Sequence, residues 1–144
     1  VHAIASLDAP YEQDFLQAAS LLFMSHENLP IAPGEWIHAI WQRFGTPLVV
    51  IGLGAQGAML GMRESGQIHH VPAVNVRPVV NPIGAGDALY SSFLHCFALG
   101  NDPLTALRKA VVFAAYKIGV ASAADGFLSR GELENLARKV YGRS

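Results

Sequence analysis

Asn81-Pro82-Ile83-Gly84-Ala85-Gly86-Asp87 is the stretch on which the reading of this chain turns, and an apolar run of helical period, 88–99, follows it at once. Small residues and a single carboxylate stand where a loop becomes a helix. Glycines there let backbone N–H groups converge with no side chain in the way, and a helix N-terminus adds partial positive charge. Such a place suits an anion whose charge grows during a reaction. Asp87, in the first turn, is placed to take a proton from a nucleophile beside that anion. The physical reading is phosphoryl transfer to a hydroxyl, with Asp87 as base and the amides of Gly84, Ala85 and Gly86 as the anion hole. A plainer reading also exists: small residues let a helix lie close to a sheet, and Asp87 is a solvated first-turn charge.

Outward from that turn, apolar segments alternate between strand-like and helix-like periods, the pattern of α/β layering. On the N-terminal side, 1–7 reads as a buried strand, 11–20 as a helix and 21–24 as a second short strand. Residues 33–44 read as a helix, with Ile37, Ile40, Trp41 and Phe44 at three- and four-residue spacing and Gly45 as its stop. A β-branched core strand at 48–51 precedes shorter antiparallel strands at 58–63, 67–71 and 74–80, the first two joined at Glu64-Ser65-Gly66. On the C-terminal side, Leu89, Phe93, Cys96 and Phe97 line one face of the helix after the turn, and Gly100 ends it. Asn101-Asp102-Pro103 then supplies a cap and a first-turn proline. That helix runs to about 121, with Leu104, Leu107, Val111, Ala115 and Ile118 inward. Ser129 and Glu132 make a capping-box pattern that opens a final helix carrying Leu133, Leu136 and Val140. No repeat or linker interrupts the chain, so 1–144 reads as a single domain.

Composition narrows the function classes. Hydrophobic residues make up 51% and charged residues 15%, the balance of a core-forming chain rather than a disordered one. A net charge of -1, with no basic block, argues against nucleic acid and against a membrane surface as partner. Cys96 is the only cysteine, so neither an internal disulfide nor a cysteine zinc site can form. That usage fits a reducing compartment. With no signal-peptide pattern and no apolar run of membrane-spanning length, the cytoplasm is the expected location.

Other motifs yield to plainer chemistry. Gly52-Leu53-Gly54-Ala55-Gln56-Gly57 spells G-x-G-x-x-G after a strand. A dinucleotide fold would need a helix next and an acidic residue about 20 positions on. Here 58–63 is short and β-like, and no carboxylate lies around Arg77, so the stretch reads as a tight hairpin. No Walker A pattern is present. The histidines lack metal-ligand spacing, and His69 and His70 point to opposite faces of a strand. Cys96 reads as a small core residue.

Gly84-Ala85-Gly86-Asp87 resembles the GAGD signature of the ribokinase-like (PfkB) carbohydrate kinases, with Asn81-Pro82 in place of the more usual Asp-Thr. The Asn-Pro form is similar to that of some phosphofructokinase-like and tagatose-phosphate-kinase-like members. Leu22-Phe23-Met24-Ser25-His26-Glu27-Asn28 resembles the family's strand ending in Asn-x-x-Glu, 49–58 its strand and Gly-x-x-Gly hairpin, and 106–126 the helix walling the nucleotide. The resemblance thus runs nearly end to end, in the family's order. It implies a three-layer αβα ribokinase-like fold, with a mainly parallel sheet and a small antiparallel extension. It also implies truncation at the N-terminus: the chain reads as the C-terminal, nucleotide-binding part of a sugar kinase.

The implied activity is ATP-dependent, Mg²⁺-assisted phosphorylation of a sugar or sugar-phosphate hydroxyl. By the same resemblance, Gly52, Gly54 and Gly57 border the nucleotide, Gly52 standing where many members carry a hydroxyl residue. Asn81 shapes the approach to the anion hole or touches phosphate or ribose. Ala115 walls the nucleotide site, and Gly126 closes it beside a monovalent-cation site. Glu27 and Asn28 stand near the metal, acting through water. Strict alignment puts Ser25 and Asn28 at the motif's two positions, so either Glu27 serves through a local shift or the metal is held more weakly. A homodimer is plausible from the exposed sheet edge of a truncated chain. These departures keep a second expectation open, a catalytically silent nucleotide-binding or interaction module.

Overall fold

A computed structural model of the protein describes residues 19–27, 29–75, 85–117 and 129–142. Strand β1 (Leu21–Ser25) runs parallel to β2 (Leu48–Gly52) after a crossover through helix α1 (Pro33–Phe44). Their register sets Leu22 against Val49 and Met24 against Ile51. Strand β3 (Ala58–Met62) lies antiparallel on β2, with Val50 against Leu60 and Val49 against Gly61. Strand β4 (Gln67–Val71) completes a 4-stranded sheet in the order β1-β2-β3-β4. The turn at 63–66 is too short for a crossover, which makes β4 antiparallel to β3.

The described sheet is therefore mixed, a parallel pair carrying an antiparallel extension. The expected strand at 1–7 lies outside the described residues, as does most of the expected helix at 11–20, of which Ala19 and Ser20 are not helical. The strand expected from 74 does not begin there: Val74 and Asn75 join no ladder, and 76–80 lie outside the described residues. Pro72 explains the break, because it has no N–H with which to extend β4.

The chain divides into two compact units. One comprises residues up to Leu53 together with Ala58–His70; the other comprises Gly54–Gly57 and the chain from Val71 onward. In the first, the pleat sorts side chains by parity. Leu22, Met24, Val49 and Ile51 join Trp36, Ile37, Ile40 and Leu53 in one buried cluster. Phe23, Val50 and Leu60 are buried on the opposite face. A Cβ at Gly61 would lie 2.5 Å from Ile37 Cγ2 and 2.9 Å from Trp41 Cζ2, so the absent side chain is what lets α1 pack closely on β3. Gly45 ends α1 in the left-handed region at φ 63°, its N–H donating to the Trp41 carbonyl at 3.0 Å.

The second unit is helical: α2 (Ala85–Ala98), α3 (Pro103–Lys117) and α4 (Arg130–Tyr141), with α3 packed on both α2 and α4. Burial on α2 follows Ala88, Leu89, Ser92, Phe93 and Cys96. Phe97, expected on that stripe, is 38% exposed although its ring stacks on Phe93. The stripe is centred nearer Ser92, which leaves position 97 at its margin. Burial pushes the Cys96 thiol above its ordinary pKa, as suits a protonated core residue. Flanked on two sides, α3 buries adjacent positions, Ala106 with Leu107 and Ala110 with Val111 and Val112, while Leu104 is only half-buried.

Polar contacts set the helix ends. After α2, the Asn101 N–H donates to the Cys96 carbonyl (3.3 Å) and the Gly100 N–H to that of Phe97 (3.1 Å), a Schellman closure with Gly100 at φ 95°. The Ser129–Glu132 capping box is complete: the Glu132 N–H donates to Ser129 Oγ and the Ser129 N–H to Glu132 Oε2. Asp102 caps α3, accepting from the Thr105 hydroxyl at 2.6 Å and the Thr105 N–H at 3.0 Å. Those bonds, the hydroxyl's first, hold its carboxyl below the ordinary 3.8. A depressed folded-state pKa means that the cap's contribution is present above the unfolded value and is lost as pH falls through the folded one. Asp102→Ala is expected to cost about 1 kcal/mol at neutral pH. In urea titrations across the acid range, the gap to the parent chain should close as the carboxyl protonates. A gap independent of pH would contradict this account.

Candidate active site

The turn after β2 and the start of α2 carry most of the described residues of the candidate site. β2 ends at Gly52, a 3₁₀ turn spans Gly54–Gln56, and β3 follows. A strand rather than a helix after G-x-G-x-x-G bears out the hairpin reading. Gly54 adopts φ 60° and Gly57 φ 97°, a conformation that L side chains rarely take, and the Gly57 N–H donates to the Gly54 carbonyl at 3.2 Å. The turn itself, Gly54–Gln56, is exposed.

Helix α2 begins at Ala85, so Ala85, Gly86 and Asp87 form its first turn, where N–H groups lack intrahelical partners. Ala85 is half-buried; Gly86 and Asp87 are exposed. Among the described residues, nothing lies within 4 Å of where a Gly86 Cβ would stand. Close packing against the described residues therefore does not account for a glycine at this position.

Gly54, Gly57, Ala85, Gly86, Asp87 and Ala115 all belong to the second compact unit, whereas Glu27 and Gly52 belong to the first. Ala115 is buried on α3. Asn28, Asn81, Gly84 and Gly126 lie outside the described residues. Glu27 is exposed just past β1, its N–H donating to Ser25 Oγ at 3.3 Å.

Sequence reasoning missed His26. Its backbone N–H donates to the Gly52 carbonyl at 2.8 Å, and its ring Nδ1 sits 3.0 Å from the same oxygen. A carbonyl can only accept, so Nδ1 carries the proton. The ring thus braces the end of β2, where the glycine-rich turn starts. No local signal announces this, because the partners are 26 positions apart.

Comparison with known proteins identifies the family and the fold. Residues 9–129 match the model of the pfkB family carbohydrate kinases. The chain is 34% identical over 123 residues to a 1-phosphofructokinase of Haloferax volcanii, covering 82% of this chain and 38% of that protein. To a deoxyribokinase of Salmonella typhi it is 37% identical over 70 residues, 49% of this chain and 22% of that one. Among solved structures, a microbiome-derived acarbose kinase superposes with a TM-score of 0.81 at 26% identity, over 95% of this chain and 46% of that chain. A protein assigned as ribokinase II of E. coli, solved with ATP and Mg²⁺, superposes with a TM-score of 0.75 at 25% identity, over 92% and 45%. The chain thus spans less than half the length of these relatives. Its α/β fold is ribokinase-like, and the family model spans most of its length: the chain belongs to the pfkB family of carbohydrate kinases.

Proposed function

We propose that this chain is the nucleotide-binding and base-carrying domain, over 1–144, of an ATP-dependent kinase acting on a sugar or sugar phosphate. The observation that carries the reading is the open backbone at Gly86, in the first turn of α2 and next to the exposed Asp87 carboxylate. The relatives supply the acceptor class: a 1-phosphofructokinase and a deoxyribokinase phosphorylate sugar derivatives. Family membership favours this reading over a silent binding module.

The residues present suit Mg²⁺·ATP. Exposed backbone at Gly86 and at Gly54–Gln56 matches a phosphate chain, and among the described residues no three His, Cys, Asp or Glu side chains gather into a cage for a metal. Phosphate oxygens and water would then hold the ion, with Glu27 and Asn28 acting through water. When bound, Mg²⁺·ATP supplies the transferable phosphoryl group and spreads its charge. Asp87 accepts the proton of the acceptor hydroxyl as its oxygen attacks. The amides of Gly84, Ala85 and Gly86 donate to the oxygens on which charge accumulates. Gly52, Gly54 and Gly57 shape the turn along the nucleotide, and Asn81 and Ala115 complete the pocket. Gly126 closes it beside a monovalent cation, on the evidence of sequence alone. A cytoplasmic location belongs to the same reading.

Gly86→Val tests it. A Cβ there has no described neighbour within 4 Å and the substitution removes a helical glycine, so thermal stability should match or exceed that of the parent. Obstruction of the amides should weaken ATP binding about tenfold or more, read by calorimetry on the 144-residue chain with Mg²⁺ present. Undiminished ATP affinity in a folded Gly86→Val chain would refute the assignment.

A further inference from the structure

A cavity of about 480 Å³ opens between α3 and α4, within the second compact unit, and none of the described residues assigned above lines it. Ala115 lies roughly 10 Å further along α3 than Arg108, which lines the cavity. The volume falls in the range of small-molecule sites, roughly 300–1,000 Å³. Its walls carry Asn101, Arg108 and Lys109 from the α3 side and Glu134, Arg138 and Tyr141 from α4.

The charges on these walls do not balance. Lys109 is already satisfied, donating to Glu134 Oε1 at 2.5 Å and to Asn101 Oδ1 at 2.9 Å. That pairing accounts for the only carboxylate that the described residues give the wall. Arg108 and Arg138 have no carboxylate partner among the described residues and face the same cavity. The Arg108 guanidinium carbon rests 5.7 Å from the centre of the Tyr141 ring, which restrains an otherwise mobile cation. The Tyr141 hydroxyl is buried with no hydrogen-bond partner among the described residues. Burial raises its pKa, so it remains a donor at neutral pH.

We propose that this groove binds a small dianion of the phosphate class, held between Arg108 and Arg138 at the Tyr141 end of α4. Guanidinium groups suit phosphate because their planar N–H fork matches its oxygens. Two uncompensated cations match one dianion, and so small a net charge gives no reason to expect a polyanion such as nucleic acid. The cavity exceeds the needs of free phosphate, which favours a phosphate monoester of a small molecule. The proposal does not depend on the kinase reading.

The test is a titration of inorganic phosphate, and separately of a hexose monophosphate, into the 144-residue chain at low ionic strength, followed by NMR of the arginine Nε–H signals. Arg108→Gln and Arg138→Gln assign those signals. Saturable shifts at both arginines are expected, with affinity about tenfold weaker in either variant and ATP affinity unchanged. Lys139→Gln, which removes the same charge from α4 outside the cavity wall, should leave binding intact. Tighter binding of the ester identifies a phosphorylated small molecule as the ligand; equal affinities identify phosphate itself. Shifts that never saturate, equal weakening by Lys139→Gln, or saturation confined to the first turn of α2 would each overturn the site.

Discussion

In the full-length kinase proposed above, with Asp87 as its base, Asp87→Asn is expected to lower phosphoryl-transfer turnover by about 10²–10⁴-fold, the range for loss of a general base. Stability and ATP affinity should hardly change. The carboxylate is exposed and has no hydrogen-bond or ion-pair partner among the described residues, so no described contact is lost with it. The structural loss is its interaction with the positive end of α2, about 0.3–1 kcal/mol. Steady-state kinetics should show the fall in kcat with KM for ATP nearly constant, because a base acts on the acceptor hydroxyl in the transition state and not on bound nucleotide. Wild-type turnover in Asp87→Asn would remove Asp87 from the mechanism. A fall in KM-limited binding alone would make it a nucleotide ligand instead.

Gly57→Ala should produce the largest loss of stability among the glycine substitutions. A Cβ at Gly57 would stand 2.0 Å from the Val71 carbonyl oxygen, 2.6 Å from the Ala73 nitrogen and 2.7 Å from the Pro72 carbonyl carbon. All three are backbone atoms, and none can rotate aside. The turn would have to part from segment 71–73, on top of a φ of 97° that costs an alanine about 1–3 kcal/mol. A total above about 3 kcal/mol is expected, a large share of the stability of a small domain. Gly66 provides the comparison. It has φ 71° with nothing within 4 Å, so Gly66→Ala should cost only the backbone term of about 1–2 kcal/mol. Urea denaturation of both variants measures the difference, and equal midpoints would show that the contact at Gly57 yields.

Much of this protein is written locally in its chain. The stop at Gly45, the Asp102 cap, the Ser129–Glu132 box and the helix opening at the GAGD turn all depend on groups within a few residues of one another. Periodicity and capping patterns expose such features directly. The same locality made the candidate chemistry legible, since the proposed anion hole and the proposed base occupy consecutive positions in the sequence, Gly84 to Asp87. Burial at the margins was less legible. Phe97 has the spacing of the α2 stripe, yet it is exposed, because the centre of a buried face is set by what packs against it.

The glycines show most clearly where sequence stopped. Gly57, Gly61 and Gly86 are one letter. The fold makes the first a contact with backbone 14 positions away and the second a seat for the side chains of α1, while no described residue packs on the third. The brace from His26 to Gly52 and the Asn101–Lys109–Glu134 bridge between helices are decisions of the same kind. Short-range steric and hydrogen-bonding preferences act on each segment alone, so sequence by itself determined most of the described elements, their ends and the candidate motif. Which glycine is crowded, which cation is neutralised and which arginine has no carboxylate partner among the described residues depend on atoms brought together from distant positions, and only the tertiary structure decided them.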